Sequence, residues 1–198
     1  DILIEAFARL GVDIEAADIK ILPWNRSYKY IQTRPDTALF SMNQTPEREK
    51  IMKFVGPSVP SKVGLIAAKD NNIQIEKISD LNRYNIGVVR DDIGDQLVSK
   101  LDIDEDMIKR KNSLKQIMFL MKVGKIQLVS YAEDVFLDSV KRSGASTDDF
   151  EVVYTLRKGH MGYAFHKSID SRVLQPLQKA IDQLRAEGVI DRIIASYH

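Results

Sequence analysis

The chain has no cysteine among its 198 residues. It therefore forms no disulfide, has no thiolate nucleophile and offers no sulfur ligand to a metal. The three histidines are too dispersed along the chain to indicate a metal cluster. The serines lack the pattern of a nucleophile elbow, and the glycines lack phosphate-loop spacing. The sequence thus predicts no metal, no cofactor and no catalytic residue.

An excess of charge and long apolar segments are also lacking. The chain carries 29 basic and 28 acidic residues, for a net charge of +1, and no basic run with interleaved aromatics, so nothing indicates nucleic-acid binding. No stretch approaches the roughly 20 apolar residues that span a bilayer. Hydrophobic residues make up 44% of the chain, which is ordinary for a globular protein. A chain of this length buries a substantial core, in one domain or two small lobes, and we expect a monomer.

The periodicity of apolar residues predicts an α/β fold. Residues 2–10 repeat with helical spacing, residues 19–22 alternate like a strand, and a helix through 28–32 leads to a strand at 38–40. Strands that alternate with helices indicate a largely parallel sheet with helices on its faces. A second series of this kind has predicted strands at 86–89, 127–130 and 151–154 and predicted helices at 94–101, 114–123 and 133–140.

Two extended runs, residues 62–68 and 162–165, connect the two series, and helical patterns follow the second run. Two crossings of this kind are typical of two lobes on either side of a cleft, which a hinge motion can close. We therefore predict a two-lobed α/β fold. Residues 1–64 with 162–198 form the first lobe, and residues 65–161 form the inserted second lobe.

A short segment around Arg48 has the features of an anion site. Thr45 is a good helix N-cap, Pro46 suits the first helical position, and Arg48 then lies in the first turn, where the helix dipole favours an anion. Arginine offers a planar, two-pronged donor that matches a carboxylate. The alternative is a surface arginine that pairs with Glu47 or Glu49.

Three residues before this helix are candidates for the same site: Ser41, Met42 and Asn43. They follow Ala38–Phe40, which is predicted to be a short buried strand. Small ligands bind at the carboxyl ends of strands in open α/β sheets. The alternative for Ser41 and Asn43 is a turn in which each side chain bonds its own backbone.

The spacing of residues in this region resembles a signature of the extracellular solute-binding proteins, in the amino-acid-type branch called family three. The residues that carry it are Asp36, Ser41, Thr45, Arg48, Phe54 and Pro57. Segments 1–11, 78–89, 121–126, 162–167 and 186–193 resemble other parts of that family in the same order. The resemblance covers essentially the whole chain, and it rests on order and spacing rather than on one strong motif.

The resemblance implies a function. Such proteins bind a small polar solute, anionic or zwitterionic, in a cleft between two lobes and deliver it to a membrane ABC importer. It implies a periplasmic, non-catalytic protein whose Arg48 holds the ligand carboxylate. It also implies a secretion signal and a first strand before Asp1. Two alternatives stay open: a sensor domain of a signalling protein, and an enzymatic offshoot that uses an acid such as Glu133.

The second lobe departs from the family pattern. Arg90, Asp91 and Asp92 occupy a turn in which the family has Gly-Thr to hold the anionic end of the ligand. One of these aspartates could accept a ligand ammonium, Arg90 could offset their charge, or Asp92 could cap the next helix. Ala132 stands where the family's amino-acid binders have an aspartate for the ligand amine.

The neighbours of Ala132 are Tyr131 and Glu133, and both are candidate ligand contacts. Glu133 could replace the missing acid, or it could cap the start of the next helix. Trp24 is the single tryptophan. It either forms a wall of the ligand cleft, on which a ligand stacks, or belongs to the core.

Overall fold

The computed structural model describes residues 1–197, which form two compact units. Unit 1 consists of Asp1–Leu22, Arg26–Pro60 and the chain from His160 onward. Unit 2 consists of Pro23–Asn25 and Ser61–Gly159. Each unit has its own sheet and its own apolar core, so the chain has two α/β halves.

Unit 1 is built on a short antiparallel sheet. Its elements are α1 (Ile2–Ala8), most of α2 (Trp24–Thr33), β1 (Ala38–Asn43), α3 (Pro46–Glu49), β2 (Met52–Val55), the second half of β7 (Phe150–His166), α7 (Ser171–Ala186) and α8 (Val189–Ala195). Strands β1 and β2 pair with opposite edges of β7, since Leu39 and Phe54 both lie opposite Ala164. Helix α7 turns an apolar face, which includes Leu177 and Ile181, toward the core that contains Ile2.

Unit 2 has a mixed sheet with an apolar core on each face. Its elements are β3 (Pro60–Ala68), β4 (Ile86–Val89), α4 (Ile93–Val98), β5 (Ile108–Lys111), α5 (Leu114–Lys122), β6 (Leu128–Ala132), α6 (Glu133–Arg142) and the first half of β7. The strand order is β7-β3-β6-β4-β5. Strand β4 is parallel to β5 and β6, and β3 is antiparallel to β6. The carboxyl end of β4 therefore lies at the same edge of the sheet as the end of β6.

The predicted α/β class is confirmed, and most helices lie where periodicity placed them. One predicted strand is wrong: residues 19–22 have no regular structure. A strand needs a neighbour to receive its backbone hydrogen bonds. No strand among residues 1–197 pairs with this segment, and Ile21 is 93% exposed.

Three further differences concern strands. Strands β2 and β5 were not predicted. Each has only four residues, too few to show apolar alternation, and three of the four in β5 are Lys or Arg. The two segments predicted at 151–154 and 162–165 are parts of one strand of 17 residues, β7. The strand at 38–40 continues to Asn43, and its buried end is Met42–Asn43 rather than Phe40, which is 38% exposed.

None of the helices in residues 1–197 combines the length and the apolar character that crossing a bilayer requires.

Candidate functional site

Arg48 is the most deeply buried charged side chain of unit 1, with 1% of its surface exposed. Thr45 caps α3 as predicted, and its hydroxyl oxygen accepts a hydrogen bond of 3.2 Å from the Arg48 backbone N–H. One guanidinium nitrogen, Nη1, donates to the Asn43 carbonyl oxygen at 3.0 Å. The short loop from β1 to α3 therefore fixes both ends of this arginine.

The guanidinium also faces an aromatic ring. Its central carbon lies 5.5 Å from the centre of the Tyr28 ring on α2, within the range of a cation–π contact. A buried charge is costly unless it is hydrogen-bonded, so the carbonyl and the ring are part of what keeps the guanidinium inside the protein. The alternative of a surface arginine is wrong.

Helix α3 has only four residues, Pro46–Glu49. A single turn aligns few peptide dipoles, so the helix dipole contributes little to anion binding here. The capacity of this region to bind an anion rests on the Arg48 guanidinium, rather than on the helix N-terminus that the sequence indicated.

Ser41, Met42 and Asn43 lie inside β1 rather than after it, which corrects the predicted strand end. Their register against β7 is irregular between Leu39 and Met42, and Ser41 has a left-handed backbone with φ of 58°. Met42 is fully buried and Asn43 is 5% exposed. Ser41 is exposed and lines a cavity of about 250 Å³ with Phe40 and Tyr163, a cavity that Arg48 does not line. Of the three, the structure brings Asn43 to Arg48, through its carbonyl oxygen.

The turn after β4 holds the candidate residues of unit 2. Arg90 and Asp91 are exposed, and Asp91 has a left-handed backbone with φ of 62°. Asp92 caps α4: its Oδ1 accepts a hydrogen bond of 2.7 Å from the Ile93 N–H. The interpretation of Asp92 as a helix cap is therefore confirmed.

A buried carboxylate that sequence reasoning missed holds this turn in place. Asp95 is 7% exposed, and its Oδ2 accepts a 3.0 Å hydrogen bond from the Asp91 N–H. Its Oδ1 accepts a second hydrogen bond, of 2.8 Å, from Nε of Arg110 on β5. Burial lowers the pKa of Arg110, but hydrogen bonds and charges from Glu105 and Asp95 raise it overall. The only signal in the sequence is an acid one turn after the Asp92 cap, which is common in surface helices.

Tyr131 and Asp92 are close enough to interact. Tyr131 lies near the end of β6 and is partly buried. Burial, and then the negative charge of Asp92, raise the pKa of the Tyr131 phenol well above its ordinary value. The phenol therefore keeps its proton at ordinary pH and can serve as a neutral hydrogen-bond group.

Glu133 is the first residue of α6, and its carboxylate pairs with Nζ of Lys62 on β3 at 2.8 Å. The N-cap of α6 is Ala132, which makes no side-chain capping bond. Glu133 is therefore an ion-paired acid rather than a helix cap, and a ligand cation would have to compete with Lys62 for it.

Trp24 begins α2 and is partly exposed. It packs against the core cluster of unit 2 that contains Ile66 and Val129, which Tyr131 also contacts. Within the described part of the chain, no cluster of three or more histidines and acids could hold a metal ion.

The protein is thus an α/β protein of two units, with a buried arginine in one and acidic residues on a turn of the other. The whole chain, residues 1–198, matches the model of the bacterial extracellular solute-binding proteins, family 3, and the protein belongs to this family. Among curated proteins, none is similar enough to count as a match.

Solved structures share the fold. ArtJ, the arginine-, lysine-, histidine-binding protein from Geobacillus stearothermophilus, is 18% identical with a TM-score of 0.82, over 98% of this chain and 82% of that one. AbpA, an amino acid ABC transporter substrate-binding protein from Streptococcus pneumoniae bound to L-arginine, is 18% identical with a TM-score of 0.81, over 98% and 80%. A histidine kinase sensor domain is 16% identical with a TM-score of 0.82, over 98% and 82%. The periplasmic-binding-protein-like fold is thereby confirmed.

Proposed function

We propose that the protein binds a small amino-acid-like solute without transforming it, and delivers that solute to a membrane ABC importer from the periplasm. The observation that carries the proposal is the burial of Arg48, which is 1% exposed, with its guanidinium bonded to the Asn43 carbonyl oxygen and its backbone N–H to the Thr45 cap. In a family of solute-binding proteins, an arginine held in this way is suited to a ligand carboxylate.

The geometry of the guanidinium supports a carboxylate rather than a single-point anion. Its parallel N–H groups match the two oxygens of a carboxylate, and charge-assisted hydrogen bonds of this kind are about twice as strong as neutral ones. Because the Asn43 carbonyl oxygen already orients the side chain, and the Thr45 cap holds its backbone, little conformational entropy is lost when the ligand binds.

The residues of unit 2 favour a zwitterion over a simple anion. The turn after β4 carries Asp91 and Asp92, and the neutral Tyr131 phenol lies near Asp92. A ligand ammonium is attracted to these groups, whereas a second carboxylate is repelled by them. Ala132 contributes no charge, so Asp92 is the residue that we assign to the ligand amine.

A thermal-shift screen against amino acids, small acids, amines and sugars tests this proposal. A ligand that binds only the folded protein raises the melting temperature, by an amount that grows with its concentration relative to Kd. We expect α-amino acids to give the largest shifts, and matched amines that lack the carboxylate to give none. Shifts with sugars alone would contradict the assignment of the ligand class.

A second function is the extracytoplasmic sensing of such a solute by a signalling protein, because the histidine kinase sensor domain has the same fold. The complete gene product discriminates between the two. A membrane segment and a kinase or cyclase domain after residue 198 favour sensing, whereas a secretion signal or lipid anchor with no later domain favours transport.

A further inference from the structure

A basic stretch in unit 2 has no role in the proposed ligand site. Residues 109–127 contain six lysines and arginines and no acidic residue, in a chain whose net charge is only +1. Helix α5 (Leu114–Lys122) forms the centre of this stretch. No acid within this stretch balances its six basic charges.

Helix α5 has one face in the core and one in solvent. Ile117 is fully buried, and Leu114 and Met121 pack against the same core. The opposite face carries Phe119, which is 63% exposed, and Val123, which is 48% exposed. Three exposed lysines surround these two apolar side chains: Lys115, Lys122 and Lys125. We call these five residues the α5 face.

The lysines of the α5 face are not engaged elsewhere. Arg110 pairs with Asp95 and Glu105, and Lys109 donates to the Asp106 carbonyl oxygen. By contrast, within residues 1–197 neither a hydrogen bond nor an ion pair involves the side chains of Lys115, Lys122 and Lys125. Their charges are therefore available to an external anionic surface.

We propose that the α5 face rests on the surface of a lipid bilayer that contains anionic lipids. Lysines around an exposed aromatic residue are typical of helices that lie in the membrane interface, where the ring enters the headgroup region. Each lysine near an anionic bilayer strengthens binding about fivefold. Two apolar side chains are too few for a protein interface, which usually buries about 800 Å² on each partner.

The carboxyl-terminal part of the α5 face, with Lys122 and Lys125, lies away from the candidate ligand turn of unit 2. The segment after α5 leads into β6, and the Gln127 N–H bonds the Asn85 carbonyl oxygen just before β4. The carboxyl-terminal end of α5 is thus at the edge where β4 and β6 begin, whereas the Arg90–Asp92 turn follows the end of β4. Lys122 and Lys125 therefore lie toward the opposite edge of the sheet from that turn, whereas Lys115 is at the end of α5 nearer to it.

Vesicle flotation tests the proposal. We expect the protein to bind phosphatidylcholine vesicles that contain phosphatidylglycerol, and not vesicles of phosphatidylcholine alone. The triple variant Lys115→Gln, Lys122→Gln, Lys125→Gln should bind about 100-fold more weakly. The control variant Lys20→Gln, Lys29→Gln, Lys179→Gln removes the same charge from exposed sites of unit 1 and should bind like the wild type.

A fluorescent label locates the contact. Because the chain has no cysteine, a polarity-sensitive dye can be attached at Val123→Cys, or at Val173→Cys on α7 as the control, where Val173 is 61% exposed. Anionic vesicles should shift the emission of the first label to the blue and leave the second unchanged. The proposal is overturned if wild type ignores anionic vesicles, if the two triple variants lose binding equally, or if both labels respond alike.

Discussion

At the scale of single residues, burial decides what Arg48 does. Its helix position was predictable, because a Thr-Pro pair fixes the start of α3 and therefore the register of the arginine. Its surroundings were not predictable, because Tyr28 lies 20 positions earlier in the chain and reaches Arg48 only through the fold. The same holds for Asp95, whose partner Arg110 comes from a strand that has no apolar signal.

Replacing Arg48 tests the proposed carboxylate contact. Loss of one partner of a buried charge pair costs about 2–5 kcal/mol, so Arg48→Ala should lower ligand affinity by roughly 30-fold or more. Arg48→Lys should also weaken binding, because the ammonium keeps the charge but not the fork. Calorimetry with the ligand found by the screen measures both effects.

The control is Arg172→Ala, which removes an exposed arginine paired with Asp170. All variants are compared under conditions that give matched folded fractions. If Arg48→Ala binds within about threefold of wild type, a difference below ~1 kcal/mol, the guanidinium has only a structural role.

A buried tyrosine makes unit 1 sensitive to alkaline pH. Burial raises the pKa of Tyr163 to about 12, from an ordinary value near 10. Between these values the unfolded chain loses the phenolic proton while the folded chain keeps it, so the free energy of unfolding falls as pH rises. Two pKa units correspond to about 2.7 kcal/mol at most.

Urea titrations across this pH range measure the effect. Tyr163→Phe should show a smaller alkaline loss of stability than the wild type. Tyr197→Phe, at a tyrosine that is 67% exposed, is the control variant. An alkaline decline of equal size in wild type and Tyr163→Phe would show that other groups cause it.

Trp24 gives an optical signal for ligand binding. It is the single tryptophan, it is partly exposed, and it packs against the core cluster that Tyr131 contacts. We expect the ligand to change its emission, with a concentration dependence equal to that found by calorimetry. An emission spectrum that ignores a ligand proven by calorimetry would show that Trp24 is only a packing residue.

At the scale of elements, helices were easier to predict than strands. Helix α5 shows why: its apolar residues recur with helical spacing, Ser113 caps it, and Gly124 follows its end with φ of 71°. Short strands have no such local signal, and they depend on their partners. Strand β5 exists because β4 pairs with it, and residues 19–22 are irregular because no described strand does.

One glycine fixes the packing of α4 on the sheet. A Cβ added at Gly94 would collide with the backbone carbonyl of Ser130 on β6, and the Ser130 hydroxyl donates to the Gly94 carbonyl oxygen at 3.1 Å. The higher helix propensity of alanine would stabilise α4 by about 1 kcal/mol, but overpacking costs about 1–3 kcal/mol, and more where the obstacle is backbone. The collision therefore dominates.

Gly94→Ala should thus lower the free energy of unfolding by about 2 kcal/mol or more, as measured by urea denaturation. Gly159→Ala is the matched control, because a Cβ there meets only the side chain of Arg157, 3.0 Å away, which can move. Equal stability of the two variants would mean that α4 shifts on the sheet at little cost.

At the scale of the whole molecule, the two extended runs predict that ligand binding closes a hinge. Membership of the family supports this prediction. Small-angle X-ray scattering tests it: a saturating ligand should reduce the radius of gyration, and the same solute should leave that of Arg48→Ala unchanged. An identical scattering curve with and without bound ligand would exclude closure.

The order in which the two units can fold during synthesis follows from the position of β7 in the chain. All residues of unit 2 have been synthesised once the chain reaches Gly159, since its short segment Pro23–Asn25 is made earlier. Unit 1 at that moment still lacks the part of β7 that pairs with β1 and β2, and also α7, on which α1 packs. Most of residues 1–60 therefore stay unfolded, with their apolar side chains exposed, while unit 2 folds. Nascent chains stalled at a length that places Gly159 outside the exit tunnel should protect unit 2 from protease and leave residues 1–60 open to cleavage and to chaperones.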